Sequence, residues 1–336
     1  MARITRAKLL LMPPRPPKFI GLILVIGYGL IAAWCSGGPP ASPTTPTPVP
    51  VATEPQVPDE VPVNQTPIAT NPTPPPAGTT WINVFGDTGW CGSPAMPQLA
   101  RLLTDLGGDI LLAGDLAYDS GTIEEFRRCF DPVFGRFRSR FWAAPGNHDY
   151  LTAGASGYFT YFGERAGLDR NGYYALRMNG WQVLMLNSMA PMGRGSRQID
   201  WVRQQLESNP ARCTMAVWHH PFDSSGPNGP NPMARDMWEL LYSRNADVVV
   251  SAHDHLYERH APQDASGKPD PVLGVRLFIS GGGGAPPYQR ARAARNSEMM
   301  ISTHGLLRLK LEPALYEWEF LGANGAVLDR GLNICH

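Results

Sequence analysis

The sequence predicts an α/β domain with mostly buried sheets over residues 80–336. Short apolar runs alternate with segments of helical spacing in the first part of this region, and strand-like runs follow. Several apolar runs also end in glycine and polar side chains, and α/β proteins place their ligands at the carboxyl ends of strands. With 336 residues, 43% of them hydrophobic, the chain is long enough for one large domain or two small ones.

The individual elements follow from hydrophobic spacing and turn signals. Short apolar runs that break into polar loops predict strands, and apolar residues three and four positions apart predict helices. Asn179-Gly180 predicts a hairpin turn, and Asn324-Gly325 predicts a second turn. Strands are predicted within 81–87, 109–115, 141–149, 172–188 (two strands), 213–221, 246–255, 274–280, 306–311, 314–320 and 326–331, and helices at about 97–107, 122–130, 196–208 and 232–244.

The first 79 residues differ in composition from the rest. Residues 1–18 carry five basic residues and no acidic one, which is typical of a cytoplasmic n-region, and residues 19–35 are apolar and uncharged. This order predicts a signal peptide or a membrane anchor, with lipidation at Cys35 left open. Residues 36–79 are rich in Pro and Thr and predict a solvated linker. We therefore expect residues 80–336 outside the cytoplasmic membrane, either tethered to the cell surface by the N-terminal segment or secreted.

Charge and cysteine content narrow the class of protein. The 29 basic and 29 acidic residues balance, which gives no support to a nucleic-acid partner. The predicted domain contains Cys91, Cys129, Cys213 and Cys335, none of them in a CxxC pair. In an oxidising compartment such cysteines predict two disulfides rather than a zinc site, and three pairings are possible.

Polar side chains collect where the predicted strands end. Taken singly, each has an ordinary structural explanation, because Gly-Asp is common in turns and a lone histidine is seldom a ligand. Together, five such loops at one sheet edge would crowd carboxylates and imidazoles at a high desolvation cost unless cations are present. The residues are Asp87, Asp115, Tyr118, Asn147, His148, Asp149, His219, His220, His253 and His255.

The ligand types predict the kind of metal. Carboxylate, amide oxygen and imidazole without thiolate suit iron, manganese and zinc. One carboxylate can bridge two ions, and two ions about 3.5–4 Å apart form an arrangement that clamps a phosphoryl group. His253 and His255, two positions apart, are expected on the same side of an extended segment. His220 is expected either to contact the site from outside the ligands or to pack away from it.

The motifs resemble those of a known family. The series is GDTG (86–89), GDLAY (114–118), GNHD (146–149), HHP (219–221) and AHDH (252–255). In this order the motifs resemble those of the calcineurin-like metallophosphoesterases, and the tyrosine of GDLAY makes the chain most similar to their purple acid phosphatase branch. The resemblance implies a four-layer sandwich of two mixed β-sheets flanked by helices.

The resemblance also implies a ligand set and two disulfides. Asp87, Asp115, Tyr118 and His255 would hold a first metal, Fe(III), with the Tyr118 phenolate colouring the protein. A second metal, Fe(II), Zn(II) or Mn(II), would be held by Asp115, Asn147, His219 and His253, so that Asp115 bridges the two ions. The implied disulfide pairs are Cys91–Cys129 and Cys213–Cys335.

The predicted function is that of an exported dinuclear-metal phosphatase. It would hydrolyse small-molecule phosphate monoesters by attack of a metal-bound hydroxide. The resemblance makes His148 the phosphate binder and leaving-group acid, oriented by Asp149. Two alternatives stay open: a phosphodiesterase or nucleotidase with the same site, and a non-catalytic metal-binding module at the cell surface. The oligomeric state is not predicted.

Four further features lie near these motifs. Ala252 stands where the family usually has glycine, and a methyl group there would strain the turn if the backbone needed a positive φ. The loop 224–231 has Asn228 where related enzymes often have a histidine. Residues 280–287 are glycine-rich and predict a flexible loop at the rim of the site. The basic run 290–295 predicts a solvated face.

Overall fold

A computed structural model describes residues 81–336. The predicted n-region (1–18), signal peptide or anchor (19–35) and linker (36–79) lie outside the described residues, so their roles stay predictions. Within residues 81–336, no helix combines the length and the apolar character that crossing a membrane requires.

Two mixed β-sheets form the centre of the domain, as predicted. The first sheet has six strands in the order β13-β12-β11-β1-β2-β3, and the second has seven in the order β10-β8-β9-β7-β6-β5-β4. The first sheet contains β1 (Trp81–Phe85), β2 (Asp109–Ala113), β3 (Phe141–Ala144), β11 (Gly305–Leu311), β12 (Leu315–Gly322) and β13 (Val327–Ile334). The second contains β4 (Tyr174–Met178), β5 (Trp181–Met185), β6 (Thr214–Val217), β7 (Val248–Ser251), β8 (Tyr257–His260), β9 (Arg276–Ser280) and β10 (Ser297–Ile301).

The parallel strands of each sheet carry the predicted site motifs. Strands β1, β2 and β3 run parallel in the first sheet, and β5, β6, β7 and β9 run parallel in the second. The remaining neighbours pair antiparallel, including the hairpin β4–β5. Its turn has φ of 50° at Asn179 and 85° at Gly180, the left-handed values that an Asn-Gly turn is expected to adopt.

Helices cover the outer faces of both sheets. They are α1 (Ala95–Leu106), α2 (Ile123–Glu125), α3 (Asp131–Phe134), α4 (Ser156–Phe162), α5 (Arg197–Ser208) and α6 (Arg235–Ser243). Leu111 of β2 lies in the core between the sheets, whereas its neighbours Ile110 and Leu112 pack with Leu99 and Leu103 of α1. This alternation is the period of two expected of a strand covered on both faces. The layers are therefore helices, sheet, sheet and helices.

Several elements differ from the prediction. Strands β8 and β10 were not predicted, because polar residues such as Glu258 and Glu298 interrupt their apolar pattern. The predicted helix 122–130 is a short α-helix followed by a π-helical turn, Phe126–Phe130. Thr122 begins it with a capping box, in which its side chain accepts from the Glu125 amide and Glu125 accepts from the Thr122 amide.

Both disulfides implied by the resemblance are present. Cys91 and Cys129 join the loop after β1 to the π-helical turn, with Cα atoms 4.8 Å apart. Cys213 and Cys335 join the residue before β6 to the residue after β13, with Cα atoms 5.5 Å apart. Because β6 and β13 belong to different sheets, the second disulfide links the two sheets.

Candidate metal centre

The ends of five parallel strands bring the predicted ligands together. Strands β1, β2 and β3 of the first sheet end just before the Gly-Asp, Gly-Asp and Gly-Asn motifs, and β6 and β7 of the second end just before the histidine pairs. Side-chain atoms of Asp87, Asp115 and His219 lie within 4.8 Å of one another. The same holds for His219, His220 and His253. The edges of both sheets therefore contribute to one site.

The glycines of these motifs are required by close packing. A Cβ on Gly114 would lie 2.6 Å from Nδ1 of His219, and a Cβ on Gly146 would lie 2.2 Å from Oδ1 of Asp115. Asp87 and Asp115 themselves have φ of 57° and 53°, a left-handed conformation that aspartate tolerates better than most residues. Gly114 and Gly146 thus each make room for a predicted ligand, and the left-handed backbone at Asp87 and Asp115 turns those two side chains into the site.

Tyr118 is the centre of the first group of potential ligands. Its hydroxyl lies 3.0 Å from Oδ1 of Asp87, 3.3 Å from Oδ2 of Asp115 and 3.4 Å from Nε2 of His255. Nδ1 of His255 lies 3.0 Å from the Pro286 carbonyl oxygen, which can only accept. Nδ1 therefore carries the proton and Nε2 presents its lone pair to the site.

His219 is the centre of the second group. Its Nε2 lies 3.1 Å from Oδ2 of Asp115, 3.1 Å from Oδ1 of Asn147 and 3.2 Å from Nδ1 of His253. Its Nδ1 lies 2.8 Å from the Ala113 carbonyl oxygen and donates to it. A neutral His219 would thus aim a lone pair at two acceptor oxygens and at Nδ1 of His253. Oδ2 of Asp115 belongs to both groups.

The distances between the potential ligand atoms fit those expected around a bound cation. Ligand atoms about 2.1 Å from an ion are about 3 Å from their neighbours in an octahedral shell. The separations from 3.0 to 3.4 Å match this spacing. The set also has more acceptor atoms than protons to place between them, so a cation would relieve the repulsion that the geometry creates.

The pKa values of the potential ligands are shifted by burial and by one another's charges. Burial raises the pKa of Asp87 well above its usual value, and burial together with Asp87 raises that of the Tyr118 phenol. Burial also acts to raise the pKa of Asp115, but His219 and His148 together outweigh it and lower that pKa to about 2. For His219 burial acts to lower the pKa, and Asp115 reverses this and raises it to about 9. Burial, followed by the neighbouring His219, lowers the pKa of His253 to about 2.

His148 and Asp149 are placed differently from each other. Nδ1 of His148 lies 2.5 Å from the Asp119 carbonyl oxygen, and its Nε2 lies 4.0 Å from Oδ2 of Asp115. The Asp149 carboxylate is fully buried and accepts from the amides of Asp115, Leu116 and Gly146. The predicted orientation of His148 by Asp149 is therefore wrong: the Asp119 carbonyl orients the imidazole, and Asp149 binds two ligand loops together.

His220 lies beside the predicted ligands rather than turned away. Its ring centroid is 4.3 Å from that of His253, and its Nδ1 lies 2.8 Å from Oγ of Ser188. Asn228 also reaches the site, since its side-chain amide donates to the His253 carbonyl oxygen at 3.1 Å. Ser188 is a rim residue that the sequence did not single out.

The AHDH segment corrects two expectations. It is not extended, because His253 has a φ of 70° and the segment turns between β7 and β8. His253 and His255 consequently reach different ligand groups. The positive φ falls on His253 and not on Ala252, so the methyl group of Ala252 does not strain the turn.

The glycine-rich loop, predicted to be a flexible loop at the rim of the site, is instead buried over residues 280–285. Gly281, Gly283 and Ala285 donate their amides to carbonyl oxygens of Leu256, Gly86 and Asp87. The close packing leaves no room for a Cβ on Gly281, which would lie 2.6 Å from Oδ2 of Asp87. The loop ends at residues that contact His255, and sequence reasoning missed this role because glycines show no chemistry of their own.

Tyr288 is a further residue that sequence reasoning missed. Its ring stacks on the His255 imidazole, with centroids 4.0 Å apart and planes 15° from parallel. Its amide donates to the His255 carbonyl oxygen at 2.8 Å. Within 290–295, Arg292 pairs with Asp223 and Ala294 is buried, so only part of that basic run is a solvated face.

Comparison with known proteins agrees with the geometry. The family model described as calcineurin-like phosphoesterase matches residues 80–257. The chain is 30% identical to purple acid phosphatase 18 of Arabidopsis thaliana over 36% of this chain and 29% of that protein. It is 28% identical to probable purple acid phosphatase 20 of the same plant, over 62% of this chain and 54% of the relative.

A solved structure shows the same fold. The purple acid phosphatase PPD1 from yellow lupin (Lupinus luteus) seeds superposes with a TM-score of 0.70 at 19% identity, covering 77% of this chain and 55% of that one. The chain thus spans at most about half the length of these relatives.

Proposed function

Because the chain belongs to the calcineurin-like phosphoesterase family, we propose that it is a metal-dependent phosphoester hydrolase that acts mainly on monoesters of small molecules. Its similarity to purple acid phosphatases supports this choice of ester. The buried cluster of carboxylates and imidazoles supports the dependence on metal.

The observation that carries the proposal is the position of Asp115. Its Oδ2 lies 3.3 Å from the Tyr118 hydroxyl and 3.1 Å from Nε2 of His219, and so belongs to both ligand groups. We assign two cations to the site, one for each group, with Asp115 shared. Tyr118 supplies an anionic oxygen donor once deprotonated, which suits Fe(III), whereas Asn147, His219 and His253 suit Fe(II), Zn(II) or Mn(II).

Bound cations would supply positive charge that neutralises a phosphate dianion and activates water near neutral pH. The protein residues do the rest. The burial of Asp87 and Asp115 keeps bulk water away from the ligands and strengthens their interactions. His148 is anchored through Nδ1 to the Asp119 carbonyl, so its half-buried Nε2 points toward the site. From there Nε2 can bind the phosphate and donate a proton to the departing alcohol oxygen.

The compartment is part of the same proposal. Two disulfides favour an oxidising environment, because cytosolic proteins rarely keep structural disulfides. Together with the basic, apolar and Pro/Thr-rich order of residues 1–79, they support export, with the domain secreted or tethered to the cell surface.

The test compares hydrolysis of 4-nitrophenyl phosphate and bis(4-nitrophenyl) phosphate by the full chain, with Asp115→Asn as the control. We expect metal-dependent turnover of the monoester in the natural chain and its loss in the variant. Faster hydrolysis of the diester would replace the proposal by a phosphodiesterase. Turnover of neither ester by metal-loaded protein would support a metal-binding module without catalysis.

A further inference from the structure

A cavity of about 710 Å³ lies beside the metal centre and has no role in the reaction described above. Tyr150 forms part of its wall, and the Tyr150 amide donates to the carbonyl oxygen of the predicted ligand Asn147 at 3.2 Å. Asn187 forms another part, directly before Ser188, whose Oγ contacts His220. The cavity therefore adjoins the side of the site where His148 and His220 lie.

The wall of this cavity is tied together by buried hydrogen bonds. The Asn187 side-chain amide donates to the Tyr150 hydroxyl and to the Asn171 carbonyl oxygen, each at 2.8 Å. The Gln198 side chain, which is only 2% exposed, accepts from the backbone N–H of Asn187 and donates to the backbone carbonyl oxygen of Asn187. Since Gln198 lies in the first turn of α5, these bonds hold the start of that helix against the end of β5.

The lining is positively charged. It includes Arg170, Arg194 and Arg197 and contains no aspartate or glutamate. Arg194 pairs with Asp236 and Glu239, but within residues 81–336 neither Arg170 nor Arg197 forms an ion pair. The Arg170 guanidinium lies over the Phe159 ring, with Cζ 5.6 Å from the ring centroid, but no carboxylate in that range neutralises the charge of either arginine.

The start of α5 adds a second attraction for anions. Ser196 is the N-cap of this twelve-residue helix, and its side chain accepts from the Ile199 amide. The amides of Arg197 and Gln198 have no acceptor within the described part of the chain, as expected for the first turn of a helix. The positive end of the helix dipole repels an arginine at the first helical position. An anion bound there would be attracted by both the dipole and the arginine.

Resting on the proposed function, the geometry points to a subsite for a second anionic group, a phosphate or carboxylate carried by the alcohol part of the ester. The substrates that this chain prefers are then phosphomonoesters with at least two anionic groups. The scissile phosphate occupies the metal centre, and the second anion contacts Arg170, Arg197 and the start of α5.

The experiment compares glucose 1,6-bisphosphate with glucose 6-phosphate, using the full chain and Arg197→Ala. We expect the variant to raise KM for the bisphosphate about fivefold or more and to change KM for the monophosphate less than about twofold. The control is Arg244→Ala just after α6, where the arginine pairs with Glu207 and does not line the cavity. This control variant should leave KM for both substrates unchanged.

A second readout separates this subsite from the proposed function. Calorimetric titration of metal-loaded protein with glucose 1,6-bisphosphate should show binding that Arg197→Ala weakens, whether or not turnover occurs. Equal effects of Arg197→Ala on both sugar phosphates, or no effect on either, would overturn the subsite while leaving the phosphatase intact. Absence of monoester turnover with Arg197-dependent binding would overturn the proposed function instead.

Discussion

Oδ2 of Asp115 lies 3.1 Å from Nε2 of His219, although the two residues come from different sheets of the sandwich. The same oxygen lies 3.3 Å from the Tyr118 hydroxyl. One carboxylate oxygen thus joins the two groups of potential ligands.

Replacing the Asp115 carboxylate should remove the ligand that the two groups share. We expect Asp115→Asn to lower kcat for 4-nitrophenyl phosphate by at least about 100-fold and to reduce the bound metal toward one ion per chain. Elemental analysis alongside kinetics measures both. Asp200→Asn, an exposed helical aspartate, is the control and should change neither. Two ions per chain with full activity in Asp115→Asn would refute the shared role.

Tyr118→Phe should remove any visible absorption band of the iron-loaded protein. The band requires a phenolate on Fe(III), and a phenylalanine has no oxygen to supply. Tyr288→Phe is a matched control, because Tyr288 stacks on His255 through its ring rather than through its hydroxyl. Absorption spectra of the three proteins decide the matter: a band that survives in Tyr118→Phe would make Tyr118 a packing residue only.

His148→Ala should slow the hydrolysis of esters with poor leaving groups most. Loss of a general acid typically costs about 10²- to 10⁴-fold, and a 4-nitrophenolate leaving group needs little protonation. We therefore expect the larger loss of kcat with an alkyl phosphate and the smaller one with 4-nitrophenyl phosphate. A uniform loss across the leaving-group series would assign His148 to phosphate binding alone.

Asp149→Asn should destabilise the fold. The carboxylate accepts three backbone N–H groups, whereas an asparagine side chain has only one accepting oxygen. We expect a loss of about 1–3 kcal/mol in the free energy of unfolding by denaturant. Asp105→Asn, on the exposed side of α1, should unfold like the natural chain. Unchanged stability with the kinetic profile of His148→Ala would instead show that Asp149 acts through His148.

Asp247 should make stability depend on pH. Burial raises its pKa from 3.8 to about 7, against the opposing effect of the Thr214 and His336 amides. The folded state then holds a proton that the unfolded chain has released, so the free energy of unfolding falls as the pH rises from about 4 to 7. Asp247→Asn cannot ionise and should lack this decline, which amounts to on the order of 2–4 kcal/mol. Denaturation at pH 5 and pH 8 tests it, and equal pH dependence in both proteins would contradict it.

The sequence predicted the strands that carry the ligands because they are buried on both faces and end in Gly-Asp or histidine motifs. It did not reveal β8 or β10, whose pairing depends on neighbours distant in the chain rather than on their own apolar pattern. The role of Asp149 could not be predicted from the sequence for a similar reason. The hydrogen-bond partners of Asp149 are backbone N–H groups, and the sequence does not show which backbone groups a side chain contacts.

Residues contributed by distant loops were missed altogether. Tyr288 reaches His255 because the buried glycine loop before it is hydrogen-bonded to Gly86 and Asp87, directly after β1. The cavity beside the site also depends on four separate segments, represented by Tyr150, Asn171, Arg197 and Met233. Scattered arginines give no local pattern, so no spacing rule could have joined them.

The three amides that bind Asp149 have a consequence for how the protein acquires its ions. These bonds hold the loops after β2 and β3 together through protein groups alone. Metal ions would then bind to ligands that are already in position, and the two loops would need little further ordering. A folded chain should accept and exchange different ions in turn, so its metal content should follow the supply of ions in its surroundings.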